Sequence, residues 1–106
     1  PEDHDRIIAF TSQLPHIISN AYVKSPSCSR HNGFSAGSYK DLSRVAKLNE
    51  EMWSDLFLLN RDSLLFEVDT LMENLKKYRE ALAQGDKASL RGLLKEGRII
   101  KEECDQ

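Results

Sequence analysis

Between Leu64 and Leu82, apolar side chains recur at alternating four- and three-residue steps: Leu64, Val68, Leu71, Leu75, Tyr78 and Leu82. Such a period lines up one stripe along an α-helix and is useless to a strand, whose faces alternate every second residue. Leu65 and Met72 widen the stripe. The pattern reads as the seam of a helix laid along another helix, in the same chain or in a partner. No alternating strand pattern occurs elsewhere in the chain, so the expected fold class is all-α.

The rest of the sequence divides around that seam. From Asp5 to Val23, Ile7, Ile8, Phe10, Leu14, Ile17, Ile18, Ala21 and Tyr22 recur at helical steps. They predict a helix with one buried face, bent where Pro15 removes a backbone donor. Pro1-Glu2-Asp3-His4-Asp5 reads as its first turn, with acids at the positive end of the dipole, and as a start cut from a longer chain. Lys24 to Ser38, with Ser25, Ser27, Ser29, Ser35, Pro26, Gly33 and Gly37, predicts a long loop of the kind that is functional or mobile. Tyr39 to Lys47 then predicts a short helix with Ser38 as N-cap. Asn49, followed by Glu50 and Glu51, opens a helix carrying Met52, Trp53, Leu56, Phe57 and Leu59. The chain turns or restarts near Asn60-Arg61-Asp62, Gly85 closes the long helix, and Asp86 opens a last one. The expected architecture is one domain over residues 1–106, a bundle of about five helices. Helices 49–60 and 62–84 carry more apolar face than a monomer of 106 residues needs. Two readings follow, a plain four- or five-helix bundle and an interlocked dimer.

Composition narrows the function classes. Fifteen basic and 17 acidic residues give a formal net charge of -2, with no basic cluster to serve as a nucleic-acid footprint. The apolar runs are too short to span a membrane or to form a signal peptide, and the expected location is cytoplasmic. Cys28 and Cys104 have neither metal spacing nor a disulfide framework and are expected as free thiols. His4, His16 and His31 lack ligand spacing with one another or with Cys28, so no metal is expected. Without a strand there is no glycine-rich phosphate turn and no dinucleotide site in this chain.

Three places remain where chemistry could sit. His16 follows Pro15 on a largely apolar helix, where a histidine is commonly a core residue satisfied by a backbone carbonyl. The segment Gly37-Ser38-Tyr39-Lys40-Asp41-Leu42-Ser43-Arg44 runs from loop into helix, and its Asp41 and Arg44 are spaced to pair on a helix surface. Trp53 is of a type found more often in a core than in a site.

Four motifs in order then carry a resemblance. His4-Asp5, followed by Ser12-Gln13-Leu14-Pro15-His16, resembles the prephenate dehydrogenase pattern His-Asp followed by Ser-His-Leu-Pro-His. Tyr39-Lys40-Asp41-Leu42-Ser43-Arg44-Val45-Ala46 resembles that family's Phe-x-Asp-x-Thr-Arg-Ile-Ala segment. Met52-Trp53-Ser54-Asp55 and Asn60-Arg61-Asp62 resemble its Met-Trp-x-Asp and Asn-Arg-Asp. Gln13 stands where the family usually has the first of two histidines, and Ala36-Gly37-Ser38 replaces a run richer in glycine.

The resemblance implies a helical C-terminal domain like that of 6-phosphogluconate dehydrogenase, which forms a homodimer and completes a substrate pocket. An N-terminal Rossmann domain of the same polypeptide would hold NAD or NADP and the catalytic histidine, leaving no catalytic residue and no cofactor site in this chain. The implied reaction is oxidative decarboxylation of prephenate to 4-hydroxyphenylpyruvate, in tyrosine biosynthesis. By the same resemblance, His16, Arg44 and Gly37 belong to the substrate site, and Asp41 and Trp53 to its border or the dimer interface. A dicarboxylate substrate suits this set, since a guanidinium matches a carboxylate with two parallel hydrogen bonds. Gln13 can donate a hydrogen bond but carries no charge, which leaves arogenate, with its side-chain amino group, as an alternative substrate. A non-catalytic dimerisation module of the same ancestry is the other alternative.

Overall fold

The computed structural model describes residues 2–30 and 36–105; Pro1, His31, Gly33 and Ser35, named above, lie outside the described residues. Among the described residues there is no strand. The first helix is a composite of α1 (Glu2–Ile8), a π-helical turn (Ala9–Gln13) and α2 (Leu14–Tyr22). The backbone stays helical across both junctions, at Ile8 (φ -63, ψ -39) and at Leu14 (φ -60, ψ -45), so Glu2 to Tyr22 is one helix. The expected bend at Pro15 therefore takes the form of a widened turn. Leu14 N–H donates to the Ala9 carbonyl, five residues back, and Pro15 falls in the first turn of α2. The extra residue accommodates a ring that would otherwise press on the carbonyl one turn below.

The segment after Tyr22 is more ordered than a free loop. Pro26–Arg30 forms a 3₁₀ turn, with Cys28 N–H donating to the Ser25 carbonyl at 3.0 Å. Helix α3 (Gly37–Ser43) differs at both ends from the expected Tyr39 to Lys47. It starts after an extended Ala36 with no side-chain cap, so Ser38 is not the N-cap. It stops early because the Ser43 hydroxyl donates back to the Tyr39 carbonyl at 2.7 Å and Ala46 N–H turns onto the Ser43 carbonyl at 3.0 Å. A serine that bonds its own backbone competes with continuation of the helix.

The remaining boundaries follow the sequence signals. Helix α4 (Glu50–Leu59) is capped by Asn49, whose Oδ1 accepts from Met52 N–H at 3.0 Å. Asn60 (φ -115, ψ 33) breaks the helix, and α5 (Arg61–Gln84) restarts at the next residue. Gly85, at φ 63, ends α5 in a Schellman turn: Asp86 N–H donates to the Ala81 carbonyl at 2.9 Å and Gly85 N–H to that of Leu82 at 3.1 Å. Asp86 then caps α6 (Lys87–Cys104), accepting from Ser89 N–H at 3.0 Å and from the Ser89 hydroxyl at 2.6 Å. The hydroxyl bond and then the backbone bond of Ser89 hold the Asp86 carboxyl below its ordinary value. With Glu2 to Tyr22 counted once and the 3₁₀ turn set aside, the helices among the described residues number five.

The chain gathers into two compact units, residues 1–68 and 69–106. In the first, Ala9, Leu14 and Leu64 are buried, and the Arg6 guanidinium lies 5.7 Å from the Phe66 ring centre. In the second, Ala81 is the buried apolar side chain, while Leu75 and Leu82 of the heptad stripe remain 55% and 66% exposed. Both cysteines are free, and among the described residues no helix is long and apolar enough to cross a membrane.

Candidate functional site

His16 sits one helical turn past the π segment. Its ring Nδ1–H donates to the Ser12 carbonyl at 2.7 Å, and the ring stacks on the Trp53 indole with centres 4.0 Å apart and planes 23° from parallel. Trp53 packs in turn against Phe57 at 5.5 Å. The partner on Ser12 is the backbone and not the hydroxyl, so Ser12 does not form a nucleophile pair with the imidazole. His16 is thus satisfied by a carbonyl, as a core histidine would be, and it also lines a cavity. That cavity, about 250 Å³, is bounded by α2 residues His16, Ile17, Asn20 and Ala21, by Lys24, and by Leu48, Glu50, Trp53, Ser54 and Phe57. Because Nδ1 is committed to Ser12, the second ring nitrogen is the polar atom left for a ligand. It accepts while the ring is neutral and donates only when the ring carries both protons.

Asn20 and Lys24 belong to this wall, although sequence reasoning did not single them out. They follow His16 at four-residue steps and so share its helix face, a spacing visible in the sequence. The Asn20 amide donates to the Ala46 carbonyl at 3.1 Å, which ties α2 to the connection before α4.

The α3 residues lie elsewhere. Gly37 is the first residue of α3, and a Cβ built there would meet nothing within 4 Å. Asp41 is exposed, and Arg44 is the exposed C-cap of the helix. No ion pair joins Asp41 to Arg44 among the described residues, and neither lines the His16 cavity. Arg44 keeps helical dihedrals (φ -53, ψ -39), so the two residues have the spacing of neighbours on a turn, but both side chains point into solvent, unpaired among the described residues. The structure therefore brings together His16 and Trp53, but not Gly37, Asp41 or Arg44. Also on α3, the Tyr39 hydroxyl meets Cys28 Sγ at 3.7 Å and the Tyr39 ring tilts against Tyr22 at 6.2 Å. The Cys28 contact is the main cause that raises the Tyr39 hydroxyl above its ordinary value.

The sequence of residues 1–96 matches the family described as prephenate dehydrogenase, dimerization domain. The chain belongs to that family. Cyclohexadienyl dehydrogenase of Zymomonas mobilis is 36% identical over 91 residues, covering 80% of this chain and 31% of that protein. Prephenate dehydrogenase of Bacillus subtilis is 30% identical over 95 residues, covering 85% of this chain and 26% of that protein. This prephenate dehydrogenase dimerization domain therefore spans between a quarter and a third of those relatives. The crystal structure of Synechocystis arogenate dehydrogenase superposes with a TM-score of 0.85 over 97% of this chain and 40% of that one. At 21% identity that likeness is one of fold, and it agrees with the all-α, five-helix reading of the sequence.

Proposed function

We propose that this domain forms the dimer and part of the substrate pocket of an NAD- or NADP-dependent prephenate dehydrogenase, a cytoplasmic enzyme of tyrosine biosynthesis. Its reaction would be oxidative decarboxylation of prephenate to 4-hydroxyphenylpyruvate. The observation that carries the reading is the His16–Trp53 pair at the wall of a cavity, in a chain whose family is defined by this domain. The described residues do not fit a dinucleotide: there is no strand leading into a glycine-rich turn, and the cavity of about 250 Å³ is small for one. The hydride acceptor and the catalytic histidine are assigned to an N-terminal Rossmann domain of the same polypeptide.

Within this domain the work is binding. Prephenate carries one carboxylate and a hydroxyl on its ring and a second carboxylate on its side chain, and the stacked imidazole and indole offer a flat wall with one polar edge. His16 accepts from the substrate's ring hydroxyl through its second ring nitrogen, Arg44 holds a carboxylate through its guanidinium fork, and Gly37 leaves room for close approach. Asp41 and Trp53 border the pocket or the dimer interface. Arg44 lies outside the His16 cavity of a single chain, so this reading requires the pocket to be completed beyond it, by the N-terminal domain or a second copy.

The test is steady-state kinetics of the whole enzyme with prephenate and with arogenate, since the name of one relative, cyclohexadienyl dehydrogenase, fits either ring. Arg44→Ala should raise KM at least about thirty-fold with little change in kcat, because a carboxylate anchor acts alike in ground and transition states. Arg44→Lys should recover part of the loss. An unchanged KM in Arg44→Ala would refute the role of Arg44, and activity on neither substrate would refute the reading as a whole.

A further inference from the structure

One turn before His16 stands a buried polar residue that does not line the cavity. Gln13 closes the π turn and is 6% exposed. Its amide is used at both ends. The Asn60 amide donates to Gln13 Oε1 at 2.7 Å, and Gln13 Nε2 donates to the Leu56 carbonyl at 3.3 Å. Asn60 donates in addition to the Asp5 carbonyl at 2.9 Å. One clasp therefore joins α1, the π turn, α4 and the α4–α5 break.

We propose that the Gln13–Asn60 clasp is a positioning device that sets where the His16 imidazole sits, and that Gln13 does not itself select the substrate; the inference rests on the assignment of His16 to the substrate pocket. The register explains why. Gln13 grips α4 at Leu56 and at its cap, Asn60, while one turn further along α2 His16 stacks on Trp53, about one turn back along α4. The two ties run in opposite directions along the two elements, so a slip at the first moves the second. The carbonyl that fixes the His16 ring belongs to Ser12, the neighbour of Gln13 inside the π turn. Gln13 is buried, lies outside the cavity wall and has both ends of its amide turned onto α4 and its cap, so it is not presented to a ligand in the cavity.

The clasp also says which side chains can replace Gln13. The site presents one donor, the Asn60 amide, and one acceptor, the Leu56 carbonyl. Asn60 cannot turn its amide over without losing the bond to Asp5. The residue at 13 must therefore offer one acceptor and one donor. A glutamine amide does so, and so does a neutral imidazole, whereas leucine offers neither and glutamate offers no donor.

The experiment uses the whole enzyme, with Gln13→Leu, Gln13→Glu, Gln13→His, Asn60→Ala and His16→Asn compared at about pH 8, where an unperturbed imidazole is neutral. Gln13→Leu should raise KM for the cyclohexadienyl substrate about ten- to a hundred-fold and change kcat by less than about three-fold, the same split as His16→Asn, since a misplaced binding group weakens ground and transition states alike. Gln13→Glu should fall with Gln13→Leu. Gln13→His should return KM to within about three-fold of the parent. Where Gln13→Leu does not fold, Asn60→Ala cuts one half of the clasp and reads out the same way. A second measurement needs no activity. Carbon-13-labelled histidine should show His16 ring protons shifted upfield by the stacked indole, lost in Gln13→Leu and Asn60→Ala and kept in Gln13→His. Folded Gln13→Leu and Asn60→Ala proteins that keep both the shift and the KM overturn the clasp. An unchanged KM in His16→Asn overturns the pocket assignment instead, and the ring-proton shift then still decides whether the clasp positions the imidazole.

Discussion

At the scale of single residues, polar groups in this chain are spent on backbone. Asn20, Asn49, Asn60, Gln13 and His16 each close a backbone donor or acceptor that a helix end, a turn or the π segment would leave open. Ser19 is the exception. Its side chain is fully buried in the middle of α2, and its hydroxyl has no hydrogen-bond partner. A buried hydroxyl without a partner forfeits its hydration for nothing, a cost of about 1–3 kcal/mol. Ser19→Ala removes that atom and leaves a void smaller than a methyl group. It should stabilise the fold by about 1 kcal/mol in urea unfolding, and an equal or lower stability would mean that the hydroxyl is satisfied in solution. His16 shows the reverse case. It bonds the Ser12 carbonyl as an ordinary core histidine would, and it also stacks on Trp53 and lines a cavity.

At the scale of elements, the corner between α5 and α6 is the most tightly specified junction. Gly85 is at φ 63, yet a Cβ there would meet nothing within 4 Å. The only penalty for a side chain is thus the left-handed backbone, and Gly85→Ala should destabilise the protein by about 1 kcal/mol without altering the helices on either side. Circular dichroism with thermal unfolding checks both halves of that statement. This corner, the Asn49 cap and the restart after Asn60 were all legible in the sequence, because capping chemistry is local and carried by a few residue types. The misreadings have physical reasons as well. Pro15 announces a disturbance, but whether the helix kinks or gains a residue depends on what packs beside it. Here Gln13 and its partner Asn60, 47 residues later, hold the widened turn. The early end of α3 depends on the Ser43 hydroxyl folding back on Tyr39, a rotamer choice that no periodicity reveals. The pairing of His16 with Trp53 was likewise invisible to spacing, because it joins two helices whose register a long-range clasp sets. What could have been read and was not is the helical step from His16 to Asn20 to Lys24.

At the scale of the whole molecule, the apolar surface is the fact to be explained. Leu75 and Leu82 lie on the heptad stripe at 55% and 66% exposed, and Met72 and Leu94 of the same unit are 62% and 63% exposed. In the first unit Leu58 and Leu59, at the end of α4, are 68% and 85% exposed. Scattered apolar residues on a surface need no cause, but a stripe with a heptad period does. Membership in a dimerization-domain family points to one, a second copy of the chain. The proposal is that α4 and α5 carry most of the interface, and sedimentation equilibrium of the whole enzyme should show a dimer at micromolar concentration. Fully burying one leucine is worth about 1.5–3 kcal/mol, and in a two-fold interface every substitution is felt twice. Leu75 is already about half covered by its own chain, so its loss accounts for about 1.5–3 kcal/mol per dimer, and the two carboxylates that must leave water raise the total to at least about 3 kcal/mol. That weakens association by more than about a hundred-fold. The same substitution at an exposed position of a monomer would change stability by less than about 0.5 kcal/mol. Leu75→Glu and Leu82→Glu should therefore sediment as monomers and unfold at lower temperature than the parent, while Lys77→Glu, a charge change on the same helix, should do neither. A parent enzyme that is monomeric at micromolar concentration, or a Leu75→Glu protein that remains fully dimeric, would mean that α5 is not the interface and that the stripe serves another surface.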